Sequence, residues 1–307
     1  MAFSYREIPY CFYRYILREN EKPLPFAEQL EILQELEGLE IAYRKANPSE
    51  LDKDTSIANL GHFVETFQNR EERVIHFFIA KRITERKVYK REEVGGRKII
   101  REAVRSAEDE CAVCQVVALP SRGLMALEDR SGESHLPARS GINRLSAIIR
   151  QIRDLRLDFE DFSKIEDLRR YIRSFDVHTV SFKARYANPS IDAPGDELHE
   201  WLLTNNAYIV GNAKAFQDEE GRKIIRNPDE GFIGEILGLA QRGYAEIGID
   251  GTTSQGYRIK TEKKPRGEDQ RYYPVRIYVP YNSIDETWED HLRNVAKVLI
   301  EFSLERP

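Results

Sequence analysis

The sequence predicts an α+β protein, with mixed and antiparallel sheets, packed helices and a long C-terminal helix. Three observations lead there. Apolar and aromatic runs bounded by glycine, proline or asparagine read as strands. Other stretches carry apolar residues at helical spacing, two of them behind a capping box. The two kinds of segment are mixed without regular strand–helix–strand alternation, which disfavours a doubly wound parallel sheet.

Residues 7 to 18 are aromatic and apolar, as in a strand. Pro23 and Pro25 open a helix whose face is Phe26, Leu30 and Leu33, and Gly38 ends it. Leu39, Ile41 and Tyr43 alternate with polar neighbours, as a strand does. After the Asn47-Pro48-Ser49 turn, residues 50 to 73 are polar and read as a loop or a hairpin end. Val74 to Ala80 is the clearest buried strand. Ala112 to Ala118 is another, with Gly123 to Glu128 beside it.

Ile142, Leu145, Ile149 and Ile152 form a helical stripe. The box Ser163 to Glu166 caps a helix faced by Ile165, Leu168, Ile172 and Phe175, which feeds a strand at Val177 to Tyr186. Helices follow at Glu197 to Thr204 and Phe232 to Arg242, then a hairpin of Tyr244 to Asp250 with Gly256 to Thr261. Val275 to Val279 lies between Pro274 and Pro280, which places it at a sheet edge. A second box, Ser283 to Glu286, precedes the final helix, lined by Trp288, Leu292, Val295, Leu299 and Phe302. Asn188-Pro189 and Pro194-Gly195 mark a boundary between domains 1–187 and 188–307, or else a long turn within one domain.

Bulk chemistry narrows the function. Lys and Arg total 47 against 52 Asp and Glu, a net charge of −5, so an anionic partner must meet a local basic patch. No apolar run is long enough to span a bilayer, and the first residues lack a signal-peptide core. Three cysteines make no disulfide framework, so a cytoplasmic protein of a bacterium or prophage is expected, with reduced thiols. Glycine-rich phosphate loops, dinucleotide fingerprints and nucleophile elbows are absent from the sequence, and no cofactor is expected.

The strongest local signal is Lys81 to Arg105. It holds Lys81, Arg82, Arg86, Lys87, Lys90, Arg91, Arg97, Lys98, Arg101 and Arg105 against Glu85, Glu92, Glu93 and Glu102. Ten cations against four carboxylates give +6 inside an acidic chain. With Gly95-Gly96 at its tip, a mobile two-stranded ribbon would carry these charges to phosphates, and counterion release would drive sequence-independent binding. The competing reading is a solvated hairpin whose charges pair with one another. Arg139, Arg144, Arg150, Arg153 and Arg156 form a second basic group. A third comprises Arg258, Lys260, Lys263, Lys264, Arg266, Arg271 and Arg276, interleaved with Tyr257, Tyr272 and Tyr273. Those tyrosines suit base stacking or ordinary sheet packing. Lys183 and Arg185 alternate with Phe182 and Ala184, charge outward and apolar inward.

Two enzyme-like or metal-like patterns remain. Asp250 with Glu262-Lys263-Lys264 across a hairpin has the outline of a metal-dependent nuclease site, in which Asp250 and Glu262 would hold Mg²⁺ and Lys264 would position water. Pro265 favours a loop there and weakens that alternative. Cys111-Ala-Val-Cys114 lacks the two further ligands of a zinc site and reads as buried strand cysteines on opposite faces; no metal site is expected.

Taken in order, these segments resemble the RexA family, cytoplasmic DNA-binding sensors of phage superinfection exclusion, a form of anti-phage defence. The likeness lies in the strand Val74 to Ala80, then a charged segment, a strand pair and a helix. It continues in Val-Ser-Phe-Lys-Ala-Arg-Tyr at 180 to 186, and in an ending made of Ala-Glu-Ile-Gly-Ile at 245 to 249, Gly256-Tyr-Arg-Ile-Lys and a helix through Phe302. The resemblance implies a RexA-like α+β homodimer that binds DNA without sequence preference. It implies action with a phage repressor and a separately encoded membrane effector, with no active site. A protein-interaction scaffold is the further alternative.

Overall fold

The computed structural model describes residues 5–43, 54–67, 69–94, 97–161, 176–185, 201–202, 204–205, 207–217, 224–225, 227, 230–241, 245–253, 256–261 and 275–304. In chain order the elements are β1 (Tyr5–Glu19), β2 (Lys22–Pro23), α1 (Phe26–Glu35), β3 (Glu40–Ile41), β4 (Thr55–Phe67), β5 (Arg70–Val94), β6 (Arg97–Leu119) and β7 (Leu124–Glu128). There follow α2 (Ala138–Arg153), β8 (Arg156–Asp161), β9 (Asp176–Arg185), β10 (Tyr208–Lys214), α3 (Gly231–Gln241), β11 (Ala245–Thr252), β12 (Arg258–Thr261), β13 (Val275–Asn282) and α4 (Trp288–Leu304). Among the described residues antiparallel strands dominate and helices are few. The chain forms two compact units, residues 15–158 and residues 1–14 with 159–307; β1 supplies its first ten residues to the latter and its remainder to the former.

In the unit of residues 15–158, the strands run in the order β7-β6-β5-β4-β3. β7 is buried along its whole length because Leu124, Met125, Ala126 and Leu127 are apolar on both faces. Tyr15 donates its backbone N–H to the Gly123 carbonyl at 2.8 Å. Gly123 is at φ +60°, and a Cβ there would sit 2.9 Å from the Tyr15 carbonyl oxygen, so the turn requires glycine. α2 packs Ile142, Leu145, Ile148 and Ile149, all buried, onto this sheet. Burying each such side chain contributes about 1.5–3 kcal/mol.

In the other unit the order is β10-β9-β11-β12-β13, with residues 5–11 of β1 paired to β13. Val180, Phe182, Ala184, Ile247, Ile249, Ile259, Ile277 and Val279 face α3 and α4 and are buried. Within α4, His291 is fully buried; its Nδ1 lies 3.3 Å from the Pro280 carbonyl and its Nε2 lies 3.0 Å from the Tyr10 hydroxyl. A carbonyl only accepts, so Nδ1 carries a proton, and in the neutral ring Nε2 accepts from Tyr10.

Three sequence expectations change. The polar stretch at 50 to 73 contains β4, paired with β5 from Thr55 opposite Lys81 to Phe67 opposite Arg70. A register shift between Ala58 and Gly61, with Asn59 at φ +53°, interrupts the alternation by which a strand is recognised. β13 is not an edge, since it pairs with both β12 and β1. Pro280 is tolerated because β12 stops at Arg258 opposite Tyr278, leaving only Glu7 of β1 beside the proline. The box before α4 is Thr287 with Asp290, not Ser283 with Glu286. Glu286 instead accepts from the Asn282 N–H at 3.2 Å, within a turn that Asn282 itself organises. The capping box at 163 to 166 with its helix, and the boundary at 186 to 194, lie outside the described residues.

Candidate nucleic-acid interface

Lys81 to Arg105 is built from the outer halves of β5 and β6. Inside the sheet, β5 is flanked by β4 as far as Lys81, and β6 is flanked by β7 from Val116 to Leu119. Beyond Arg82 opposite Cys111, no third strand pairs with either among the described residues. The register shifts between Ile83 and Glu85 and then stays regular from Glu85 opposite Ser106 to Val94 opposite Arg97. β-branched residues at Val88, Val94, Ile99, Ile100 and Val104 favour the extended backbone. Ten residues per strand at about 3.3 Å each make an arm of roughly 33 Å. Gly95 and Gly96 lie outside the described residues.

Every cation singled out in this stretch falls on that arm or at its base. Lys81 and Arg82 sit at the base, half-buried and exposed respectively. Arg86 stands opposite Arg105, Lys87 opposite Val104, Lys90 opposite Arg101, Arg91 opposite Ile100, Lys98 opposite Glu93 and Arg97 opposite Val94.

Lys183, Arg185 and Lys260, also predicted from the sequence, belong to the other compact unit. Lys183 and Arg185 lie on β9, opposite Val210 and Tyr208 of β10. Exposed Lys183 holds its ammonium 5.9 Å from the ring centroid of Tyr208, itself 68% exposed. Exposed Lys260 stands between Asp250 and Arg276 in the ladder. Thr179, Ser181, Asp250, Lys260, Arg276 and Tyr278 line an open groove of about 490 Å³ on the sheet face away from α3 and α4. Burial raises the Tyr278 phenol above its ordinary value, so it stays protonated at neutral pH. Exposed Lys214 and Tyr208 on this face were not singled out from the sequence; the alternation Tyr208, Val210, Asn212, Lys214 was the available signal. Lys263, Lys264 and Arg266 lie outside the described residues.

Charge pairing removes other candidates. Arg144 is buried, bonds to Asp54 at 3.2 Å and to Thr55, and lies 4.3 Å from the Tyr43 ring centroid. Arg153 pairs with Glu35, and Arg156 with Asp158 at 2.6 Å. Two of the α2 arginines, Arg144 and Arg153, are therefore engaged by the protein's own carboxylates, while Arg150 is exposed. Asp250 is held by Arg258, whose Nη2 and Nε lie 2.9 and 3.3 Å from its two oxygens. Its supposed nuclease companions Glu262 and Lys264 lie outside the described residues. No group of three or more His, Cys, Asp or Glu able to hold a metal occurs among the described residues. Cys111 is exposed and Cys114 buried, so the expected opposite faces hold but Cys111 is not a core residue.

No family model matches the chain, and no curated protein matches it.

Proposed function

We propose that this chain is a non-enzymatic DNA-binding protein that holds duplex DNA without sequence preference through the β5–β6 arm. The observation that carries the reading is an antiparallel two-stranded ribbon, running past both neighbouring strands, with eight lysines and arginines at positions 86 to 105. A two-stranded ribbon has the width of the major groove, and lysine and arginine neutralise phosphate irrespective of base. In a chain of net charge −5 such attraction is local, and the acidic remainder limits how much of the surface joins in.

The resemblance to phage-exclusion sensors gives this activity a setting: a cytoplasmic homodimer that meets DNA, a phage repressor and a separately encoded membrane effector. The metal-dependent nuclease reading has less support, because Asp250 is already engaged by Arg258.

A mobility-shift titration tests the proposal. A 30-base-pair duplex of arbitrary sequence should be retarded at 50 mM salt, with log K against log salt falling at a slope of about −4 if roughly four to five phosphates are neutralised. Absence of retardation at low salt, or a slope near zero, overturns it and favours a protein-interaction scaffold.

A further inference from the structure

The two faces of the β5–β6 arm carry different charge, and we infer that only one of them is the phosphate-binding face. This inference rests on the DNA-binding reading and deepens it. In a regular antiparallel ladder, alternate positions share a face, and directly opposed residues lie on the same side. From Glu85 opposite Ser106 to Val94 opposite Arg97 the register is unbroken, so the arm sorts into two sets.

The first set contains Arg86, Lys90, Arg97, Arg101 and Arg105 with one carboxylate, Glu92, together with Val88, Val94, Ile99 and Ala103. The second contains Lys87, Arg91 and Lys98 with Glu85, Glu93 and Glu102. One face is thus +4, five cations less one carboxylate, and the other is neutral, three against three. The excess of the whole stretch, less Lys81 and Arg82 at its base, falls on a single face.

Direct pairing sharpens the contrast. On the cationic face, Arg86 is opposite Arg105 and Lys90 is opposite Arg101. Like charges directly opposed weaken a sheet. On the neutral face, Lys98 is opposite Glu93, as a ribbon built for its own stability would have it. An arm serving only as a solvated hairpin has no use for two pairs of like-charged positions set opposite each other on one side of its ladder. A polyanion laid along that side relieves the repulsion, and the phosphates of duplex DNA have the matching charge density.

Two triple variants of the full chain change charge equally. Arg86→Glu, Lys90→Glu and Arg101→Glu together alter the cationic face; Lys87→Glu, Arg91→Glu and Lys98→Glu together alter the neutral one. Affinity for a 30-base-pair duplex at 50 mM salt should fall at least about tenfold in the first and stay within about threefold in the second. Equal losses overturn the face assignment while leaving DNA binding by the arm in place. Failure of the unaltered protein to bind the duplex overturns both. The single variant Arg101→Glu guards against mere unfolding, because it turns a repelling pair into an attracting one with Lys90. Amide hydrogen exchange across residues 86 to 105 should slow about twofold to fivefold while DNA affinity falls. Faster exchange accompanying the loss of affinity would overturn the inference.

Discussion

The cysteines and glycine of the α2 contact show how one side chain's surroundings decide its chemistry. Burial, followed by the nearby Glu128 and Asp129 carboxylates, pushes the Cys114 thiol well above its ordinary range, so it stays protonated and unreactive. Cys111, three residues earlier on β6, is exposed, and Cys11 is buried. A maleimide at neutral pH should therefore label one thiol per folded chain, at Cys111, and three after denaturation; native labelling at Cys114 would show that the α2 contact is absent. That contact depends on Gly141, where an added Cβ would lie 2.8 Å from the Cys114 sulfur and 3.3 Å from Leu127. Alanine gains about 1 kcal/mol of helix propensity, but overpacking at a buried seam costs about 1–3 kcal/mol. Gly141→Ala is expected to lower the urea midpoint by a net ~1 kcal/mol equivalent, and Cys114→Ala in the same chain should restore most of it.

At the scale of elements, the start of α4 has a pH signature. Thr287 and Asp290 bond reciprocally: the Thr287 hydroxyl and N–H both donate to the carboxylate, and the Asp290 N–H donates to the hydroxyl. The hydroxyl bond, then the backbone bond, hold the Asp290 carboxyl below its ordinary value. A depressed folded-state value means the contribution is complete above the unfolded-state pKa and fades as pH falls through the folded one. Asp290→Asn should therefore lower stability at neutral pH and converge with the unaltered protein in acid; a constant difference across that range would exclude the carboxylate as the cap. The arm itself is separable. Joining Ile83 to Glu110 with Asn-Gly in place of residues 84–109 matches a two-residue hairpin turn, since those residues are directly opposed. The thermal midpoint should drop by only a few degrees, because the flanking pairs with β4 and β7 stay intact, while the DNA shift disappears. Collapse of the fold would show that the arm is structural.

For the whole molecule, the homodimer implied by the resemblance has its own measurement. Light scattering across micromolar concentrations should give twice the chain mass of 35.7 kDa, with binding to DNA in dimer steps. A monomer that shifts DNA unchanged would remove the dimer from the proposal and leave the arm.

Elements with a strong local pattern were legible in the sequence. Val74 to Ala80, Ala112 to Ala118, the α2 stripe and the β11–β12 hairpin stand where periodicity and turn residues place them, because the side chains that set the period are the ones buried. β4 was missed because a bulge and polar residues broke its alternation. The position of β13 between β12 and β1 was misread because proline signals a missing donor, whereas only a strand's neighbours show whether that donor was needed. The cationic stretch was visible as composition, and so were Lys183 and Lys260. What composition could not separate was a spent charge from an available one: Arg144, Arg153 and Arg258 have carboxylate partners from sequence-distant or cross-strand positions.

The sequence by itself determined the strands and helices with a strong local period, though not β4, β8 or β10, together with the acidic total and the concentration of lysine and arginine between residues 81 and 105. Only tertiary structure decided which sequence-distant strands lie side by side and where bulges shift their register, since a strand's neighbours can come from anywhere in the chain.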